Sequence, residues 1–362
     1  MEHKVNPELR QSYTLPSRLY TDEAALKIEQ EKIFEKSWLF AGHVSQVKHN
    51  GDFFTKDIAG HSILIAKGND GVIRAFYNVC THRASKLEER ECGNKKMLQC
   101  PYHAWTFTLD GHLNRAPNMK GLQFDAEDFC LKQPKLEIVA SFIYINLDEN
   151  ASSMSEVFGN LFDGLKDYPL EELKIARVQE DIVKCNWKVT VDNYLECDHC
   201  PTIHKGFVNT LDMDNYEIST FDNYSYQGVP LRSGTNEPDK LGQSAKYYFL
   251  YPNMWISVNP GLPNVSINQS IPIDHETTKL IYTTYFLDLN DLDEQKKFYA
   301  FLDQVREEDF VICETVQKGL QSKGYTQGRF SLTENCVHHF HLLVQHALES
   351  EQAYVPLTLG VK

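Results

Sequence analysis

Apolar residues at helical spacing predict a helix over residues 22–38, near the start of the chain. Asp22 stands at the expected N-cap. The side chains available for packing are Leu26, Ile28, Ile33 and Phe34. From residue 39 the pattern changes to short β-branched and apolar runs separated by Gly, Asn and Asp, which is typical of antiparallel strands, and KGNDG at 67–71 predicts a hairpin turn. We therefore expect a helical arm over residues 1–38, packed on the catalytic domain described below, and a small β domain over residues 39–150.

Residues 151–362 combine strand-like alternation with a long helical pattern, which predicts an α+β domain whose curved sheet wraps a long helix. The helix is expected over residues 298–320. Its apolar stripe consists of Phe298, Phe301, Leu302, Val305, Ile312, Val316 and Leu320. Asp309 falls within about 20° of the stripe's centre, and a carboxylate there is costly unless it is paired or binds metal. The acids expected to face solvent are Asp303, Glu307 and Glu308.

A second amphipathic helix is predicted over residues 331–348, with Val337, Phe340, Val344 and Leu348 facing inward. It contains the run HHFH at 338–341. Adjacent histidines point in different directions on a helix, so this run argues against a metal cluster.

Composition and charge narrow the class of protein. The 362 residues are 42% hydrophobic and 24% charged, with a formal net charge of −14. This is the profile of a soluble globular protein, and the acidic balance argues against a nucleic-acid partner. The start of the chain lacks the apolar core of a signal peptide, and no run approaches the length of a membrane span. We expect a cytoplasmic protein whose nine cysteines are reduced.

Two short segments of the β domain carry paired Cys and His residues. NVCTHRA contains Cys80 and His82, and CPYHAWTF contains Cys100 and His103. Two tight loops that each present one thiolate and one imidazole suit either a structural zinc or an iron–sulfur cluster with two His ligands on one iron. The single-residue gap between Cys80 and His82 is tighter than usual for zinc. Both segments closely resemble the cluster loops of Rieske proteins, and the flanking EKSWLFAGHVSQV and LDGHL resemble the same domain in Rieske oxygenases, which implies a [2Fe–2S] cluster on these four residues.

A second metal site is predicted around DNYLECDHCPTIHKGF, residues 192–207. Up to Pro201 the segment is compatible with helix, which would place Glu196 and His199 on one face. Pro201 disfavours continuation, so His204 is expected past a break. Together with Asp309 the two imidazoles make a two-His, one-carboxylate set that leaves open positions on Fe(II).

The motifs DNYLECDHCPTIH and REEDFVICETVQKGL resemble the mononuclear-iron motifs of Rieske oxygenase alpha subunits, whose ligands map onto His199, His204 and Asp309. The resemblance covers nearly the whole chain and implies an N-terminal Rieske antiparallel β domain and a C-terminal helix-grip catalytic domain over residues 151–362. It also implies a homotrimer in which Glu196 accepts a hydrogen bond from the cluster ligand His103 of a neighbouring subunit. Asp192 is a candidate supporting residue for the iron site. The groups predicted to have no direct role are Cys197, Asp198 and Cys200.

Glu at position 196 resembles the branch of Rieske oxygenases that oxidises quaternary ammonium compounds such as choline, glycine betaine, carnitine or proline betaine. The candidate substrate-binding aromatics are Tyr194, Tyr251 and Trp255, since aromatic faces hold such cations. The leading interpretation is the oxygenase component of a monooxygenase that uses O2, electrons from an NAD(P)H-dependent reductase, and a small cationic or zwitterionic substrate. The alternatives are an aromatic-ring-hydroxylating oxygenase and a cluster-only electron carrier.

Overall fold

The computed structural model describes residues 2–166, 168–232, 241–350 and 352–355. These residues form two compact units, one of residues 1–34 with 155–362 and the other of residues 35–154. The predicted limits of the domains, at 38/39 and 150/151, stay a prediction. Within the described ranges, no helix combines the length and apolar composition that a membrane crossing requires.

The unit of residues 35–154 is built from short antiparallel strands, as the alternating pattern predicts. Its strands are β1 (Leu39–His43), β2 (Asp52–Ile58), β3 (His61–Lys67), β4 (Ile73–Tyr77), β5 (Cys92–Asn94), β6 (Leu98–Gln99), β7 (Thr106–Phe107), β8 (Leu113–Arg115), β9 (Lys135–Val139) and β10 (Phe142–Asn146). They pair in the orders β4-β3-β2-β5, β1-β10-β9 and β6-β7-β8. The predicted hairpin turn joins β3 to β4, with Gly71 at a φ of +80°, a conformation that favours glycine.

The other unit contains one large antiparallel sheet. Its strands are β11 (Lys174–Val183), β12 (Glu217–Phe221), β13 (Tyr224–Val229), β14 (Ala245–Leu250), β15 (Met254–Val258), β16 (Asn264–Asp274) and β17 (Thr277–Phe286). They lie in the order β11-β17-β16-β15-β14-β13-β12. Sheets and helices segregate along the chain, so the α+β class is confirmed.

The helices are α1 (Arg18–Thr21), α2 (Glu23–Glu29), α3 (Met154–Phe158), α4 (Trp187–Tyr194), α5 (Cys200–Ile203), α6 (Lys205–Thr210), α7 (Leu292–Leu320) and α8 (Asn335–Glu349). The two long ones confirm the helical patterns of the sequence. Helix α7 begins six residues earlier than predicted, because the side chain of Asp291 accepts from the backbone N–H of Glu294 and caps it there. Its stripe is less buried than predicted, since Val316 is 44% exposed.

The arm before the β domain is only partly the helix predicted over 22–38. Asp22 caps α2 as expected, but the helix continues as a single π-helical segment, Gln30–Phe34, and ends there. Ile33 and Phe34 are buried, whereas Ile28 is exposed and does not pack as predicted. The arm is tied to α4 by a fully buried ion pair of 2.7 Å between Glu29 and Lys188.

Candidate metal centres

The two predicted cluster loops have the same backbone geometry. In each loop the N–H of an alanine, Ala84 or Ala104, donates to the carbonyl of the cysteine four residues before it, and each alanine has a φ of +57°. Both cysteines are 2% exposed and belong to the hydrophobic core of the unit around Trp105. Cys80 and Cys100 therefore occupy the same position within their two loops.

The side chains of these loops fit an iron–sulfur cluster. The rings of His82 and His103 lie 4.7 Å apart, and the Nδ1 atom of each is buried with no hydrogen-bond partner among the described residues. Buried polar atoms normally have a partner, so two orphaned imidazole nitrogens point to metal ligation. Burial raises the pKa of the Cys80 thiol. At Cys100 burial acts in the same direction, but backbone N–H donors lower the pKa and favour the thiolate that binds iron.

The segment that carries the second site leaves the helix earlier than predicted. Helix α4 ends at Tyr194, so Glu196 and His199 do not share a helix face. The Glu196 carboxylate accepts hydrogen bonds from the backbone N–H groups of Asp198 and His199, and such local bonds compete with helix formation. Pro201 lies in the first turn of α5, where the missing N–H costs nothing. His204 lies between α5 and α6 with non-helical dihedrals, as the predicted break requires.

The structure brings His199, His204 and Asp309 together, with one ligand atom of each lying within 4.8 Å of the others. The two Nε2 atoms face each other at 3.2 Å, and Asp309 Oδ1 lies 2.9 Å from His204 Nε2 and 3.6 Å from His199 Nε2. The three residues come from a loop, a helix junction and α7. This set fits a metal ion with one face protected by protein and open positions on the other.

Each imidazole of the set has its second nitrogen held by an acid. His199 Nδ1 lies 2.5 Å from Glu196 Oε1, and His204 Nδ1 lies 2.7 Å from Glu308 Oε2. An Nδ1–H that donates to a carboxylate leaves the Nε2 lone pair free for metal. The prediction that Glu308 faces solvent holds only in part, since its side chain is 29% exposed but its carboxylate contacts His204. The available signal was its position next to Asp309 in the sequence.

The same contacts shift the pKa values of the set. Burial alone would lower the pKa of His199, but hydrogen bonds to Asp309 and Glu196 outweigh burial and raise it to about 9. The pKa of His204 is raised for the same reason, by Asp309 and Glu308. Burial would raise the pKa of Asp309, but the two imidazoles lower it. The cluster of acids thus favours a cation at its centre.

Asp192 supports a different part of the unit from the one predicted. Its carboxylate accepts from Tyr20 Oη at 2.8 Å and lies 2.9 Å from His341 Nε2. His341 Nδ1 accepts the backbone N–H of Leu15, so Nε2 carries the proton that is donated to Asp192. Sequence reasoning gave His341 no role, because its partner lies 149 positions away.

All three groups predicted to have no direct role make contacts that the sequence did not predict. Cys197 and Cys200 form a disulfide, so the prediction that all nine cysteines are reduced is wrong for this pair. The turn between them brings their Cα atoms to 5.0 Å, within the range a disulfide needs. Asp198 is exposed, and it accepts hydrogen bonds from the hydroxyls of Ser331 and Thr333.

A cavity adjoins the two-His, one-carboxylate set. All three members of the set, His199, His204 and Asp309, line it. Tyr194 and Trp255 line it and stack with ring centroids 4.6 Å apart, and Tyr247 lies edge-on to Tyr194. Tyr251, the third aromatic residue predicted to bind substrate, does not line the cavity, so that prediction is wrong. It directly follows strand β14 and is fully buried in the core against Phe340 of α8.

Comparison with known families identifies both units. The family described as "Ring hydroxylating alpha subunit (catalytic domain)" matches residues 165–350, and the "Rieske [2Fe-2S] domain" matches residues 37–138.

Relatives match over almost the whole chain. The carnitine monooxygenase oxygenase subunit of Escherichia coli K12 is 37% identical, covering 94% of each chain. The chloroplastic choline monooxygenase of Arabidopsis thaliana is 34% identical over 94% of this chain and 84% of its own. A crystal structure of the quaternary ammonium Rieske monooxygenase CntA with L-carnitine superposes with a TM-score of 0.84 at 32% identity, covering 95% of this chain and 99% of that one. The predicted resemblance is confirmed: the chain belongs to the Rieske oxygenases, as an alpha subunit with a Rieske [2Fe–2S] domain and a catalytic domain of the mononuclear-iron type.

Proposed function

We propose that this protein is the oxygenase component of a Rieske monooxygenase that hydroxylates a C–H bond next to a quaternary ammonium nitrogen. The observation that carries the proposal is the stacked pair of Tyr194 and Trp255 in the cavity that His199, His204 and Asp309 also line. Aromatic faces attract quaternary ammonium groups. The similarity to carnitine and choline monooxygenases supports the same substrate class.

The proposed metal ligands are Cys80, His82, Cys100 and His103 for the cluster, and His199, His204 and Asp309 for the mononuclear iron. When bound, the cluster supplies single electrons and the iron supplies dioxygen activation. The protein's contribution is positioning. Glu196 and Glu308 hold the imidazole rings in place through Nδ1, while the aromatic pair holds the ammonium so that an adjacent C–H faces the open side of the metal set.

The partners proposed are an NAD(P)H-dependent reductase and two further copies of the chain in a homotrimer. Glu196 of one subunit would accept a hydrogen bond from His103 of the next, so one carboxylate would contact both an iron ligand and a cluster ligand. We propose the cytoplasm as the compartment. For the domains we keep an arm over 1–38, a Rieske domain over 39–150 and a catalytic domain over 151–362.

The reaction is tested by incubating the reconstituted protein with a reductase, NAD(P)H, O2 and a set of quaternary amines. Hydroxylation of an N-methyl group gives a carbinolamine that splits into formaldehyde and the demethylated amine, whereas hydroxylation of the chain carbon bonded to nitrogen gives one that splits into an aldehyde of the chain and the free tertiary amine. Either product, formed in step with substrate-dependent oxygen uptake, supports the proposal. A diol of indole or naphthalene as the sole product would reject it in favour of aromatic-ring hydroxylation.

Metal analysis separates an oxygenase from a cluster-only electron carrier. We expect three irons per chain after reconstitution, two in the cluster and one at the mononuclear site. His199→Ala should remove the third iron and leave the Rieske absorption spectrum intact. Two irons in the reconstituted wild-type protein would indicate an electron carrier.

A further inference from the structure

The cavity has a basic side formed by β11 and α7. Arg177, on β11, donates through Nη1 to both carboxylate oxygens of Asp303 at 3.0 Å, and Arg306 donates to the same carboxylate through Nη2. Arg177 and Arg306 both line the cavity. Two guanidinium groups share the carboxylate of Asp303, so among the described residues neither arginine has this acid to itself. Asp303, which was expected to face solvent, is 33% exposed and is held by both arginines.

Two hydrogen-bond donors on this side have no acceptor. The Nε atom of Arg306 and the hydroxyl of Tyr299 are buried, and neither has a partner among the described residues. Both residues line the cavity, and on α7 they lie seven positions apart, on one face of the helix. Buried donors are normally satisfied, so this pair indicates a ligand that brings an acceptor.

The guanidinium of Arg306 is held in a fixed orientation. It lies over the ring of Tyr282 with 4.6 Å from Cζ to the centroid, while Nη2 is anchored by Asp303. Its side chain is only 13% exposed. A planar, always charged group that is held in this way and has a spare N–H matches a carboxylate better than it matches a neutral hydroxyl.

We propose that Arg306 and Tyr299 form a carboxylate-binding subsite, so that the preferred substrate is a betaine with both an ammonium and a carboxylate group. This inference rests on the proposed function. Asp309 follows Arg306 by one turn of α7, so the basic subsite adjoins the metal site. The acids of that site are Asp309 itself and the two that hold the imidazoles, Glu196 and Glu308. The cavity then offers an acidic and aromatic region for the ammonium and a basic one for the carboxylate.

The subsite distinguishes between the two substrates named in the relatives. Carnitine carries a carboxylate, whereas choline ends in a neutral hydroxyl. Choline offers only a neutral hydroxyl to the spare Nε–H of Arg306, and a hydroxyl is a weaker acceptor for a guanidinium than a carboxylate. We therefore expect the wild-type protein to bind γ-butyrobetaine, the carboxylate-bearing probe, more tightly than choline.

The test measures equilibrium binding of γ-butyrobetaine and choline to the iron-loaded full-length protein by anaerobic calorimetry. Arg306→Gln should weaken γ-butyrobetaine binding on the order of 10-fold or more, the loss expected for one charged hydrogen bond, and leave choline binding unchanged or tighter. The matched control is Arg329→Gln, which removes another arginine that lies over a tyrosine ring, Tyr13, in the same unit but away from the cavity. It should change neither affinity.

Tyr299→Phe removes only the orphaned hydroxyl and decides the matter if the arginine variant fails to fold. It should weaken γ-butyrobetaine binding several-fold and spare choline. Equal losses for both ligands, or no loss for either, would overturn the subsite while leaving the proposed function intact, provided the wild-type protein still oxidises quaternary amines. A wild-type protein that neither binds nor oxidises any of them would overturn both.

Discussion

Glu308 offers the sharpest test of how the iron site is held. Glu308→Gln keeps the shape of the side chain and an acceptor for His204 Nδ1–H but removes the charge. The bond is 2.7 Å long and His204 is 3% exposed, but Glu308 itself is 29% exposed. A hydrogen bond to a charged group contributes about 1.5–3 kcal/mol, and this exposure favours the lower limit. We expect a loss of about 1.5 kcal/mol in iron binding, close to tenfold in affinity, with up to 100-fold for Glu308→Ala.

The assay is dialysis against a ferrous chelator, with iron counted per chain and the Rieske absorption as internal standard. Glu307→Gln is the matched control, because Glu307 is the preceding residue of α7, carries the same charge and is exposed. It should retain wild-type affinity. Equal iron affinity in the two Gln variants would refute the assignment of Glu308 as the group that orients His204.

Two further predictions concern stability and pH. Glu29→Gln leaves the fully buried Lys188 ammonium without its acid, so urea denaturation should show a loss of about 3 kcal/mol or more; Glu29→Gln with Lys188→Met should recover part of it, and no recovery would contradict the pairing. The Glu88 carboxylate accepts hydrogen bonds from Arg90, which has the larger effect, and from Lys95, and together they lower its pKa to about 2. Because the folded pKa lies below the unfolded one, this stabilisation is present above pH ~4.5 and is lost as the pH falls towards 2. In thermal unfolding from pH 2 to 6, the free energy of unfolding of Glu88→Gln should fall by about 1–2 kcal/mol less on acidification than that of the wild type, after allowance for solvent screening. An equal fall in both proteins would contradict this role of Glu88.

Periodic patterns predicted the parts of the site that depend on one element. Asp309 was found because a carboxylate at the centre of an apolar stripe has to be compensated, and the structure places it beside His199 and His204. The hairpin turn and the paired cluster loops were equally local signals.

Contacts between distant elements could not be predicted in this way. Glu308 lies at the edge of the apolar stripe of α7. Its contact with His204 depends on where the junction of α5 and α6 places that histidine, which the pattern of α7 does not reveal. The pairs of Asp303 with Arg177 and of Asp192 with His341 each join two elements far apart in the chain. The break after Tyr194 came from a side chain that competes for backbone hydrogen bonds, which periodicity does not detect.

The division of the chain into two units has a consequence for biosynthesis. The catalytic unit begins with residues 1–34 and is completed only by residues 155–362, whereas residues 35–154 are continuous. Domains emerge from the ribosome N-terminal first, so the unit of residues 35–154 is complete while most of the catalytic unit does not yet exist. Glu29 emerges long before Lys188, the partner it is buried against. Until residues 155–362 are made, the nascent arm exposes Ile33 and Phe34, which are buried in the folded protein, so in this interval of translation the arm needs protection from aggregation.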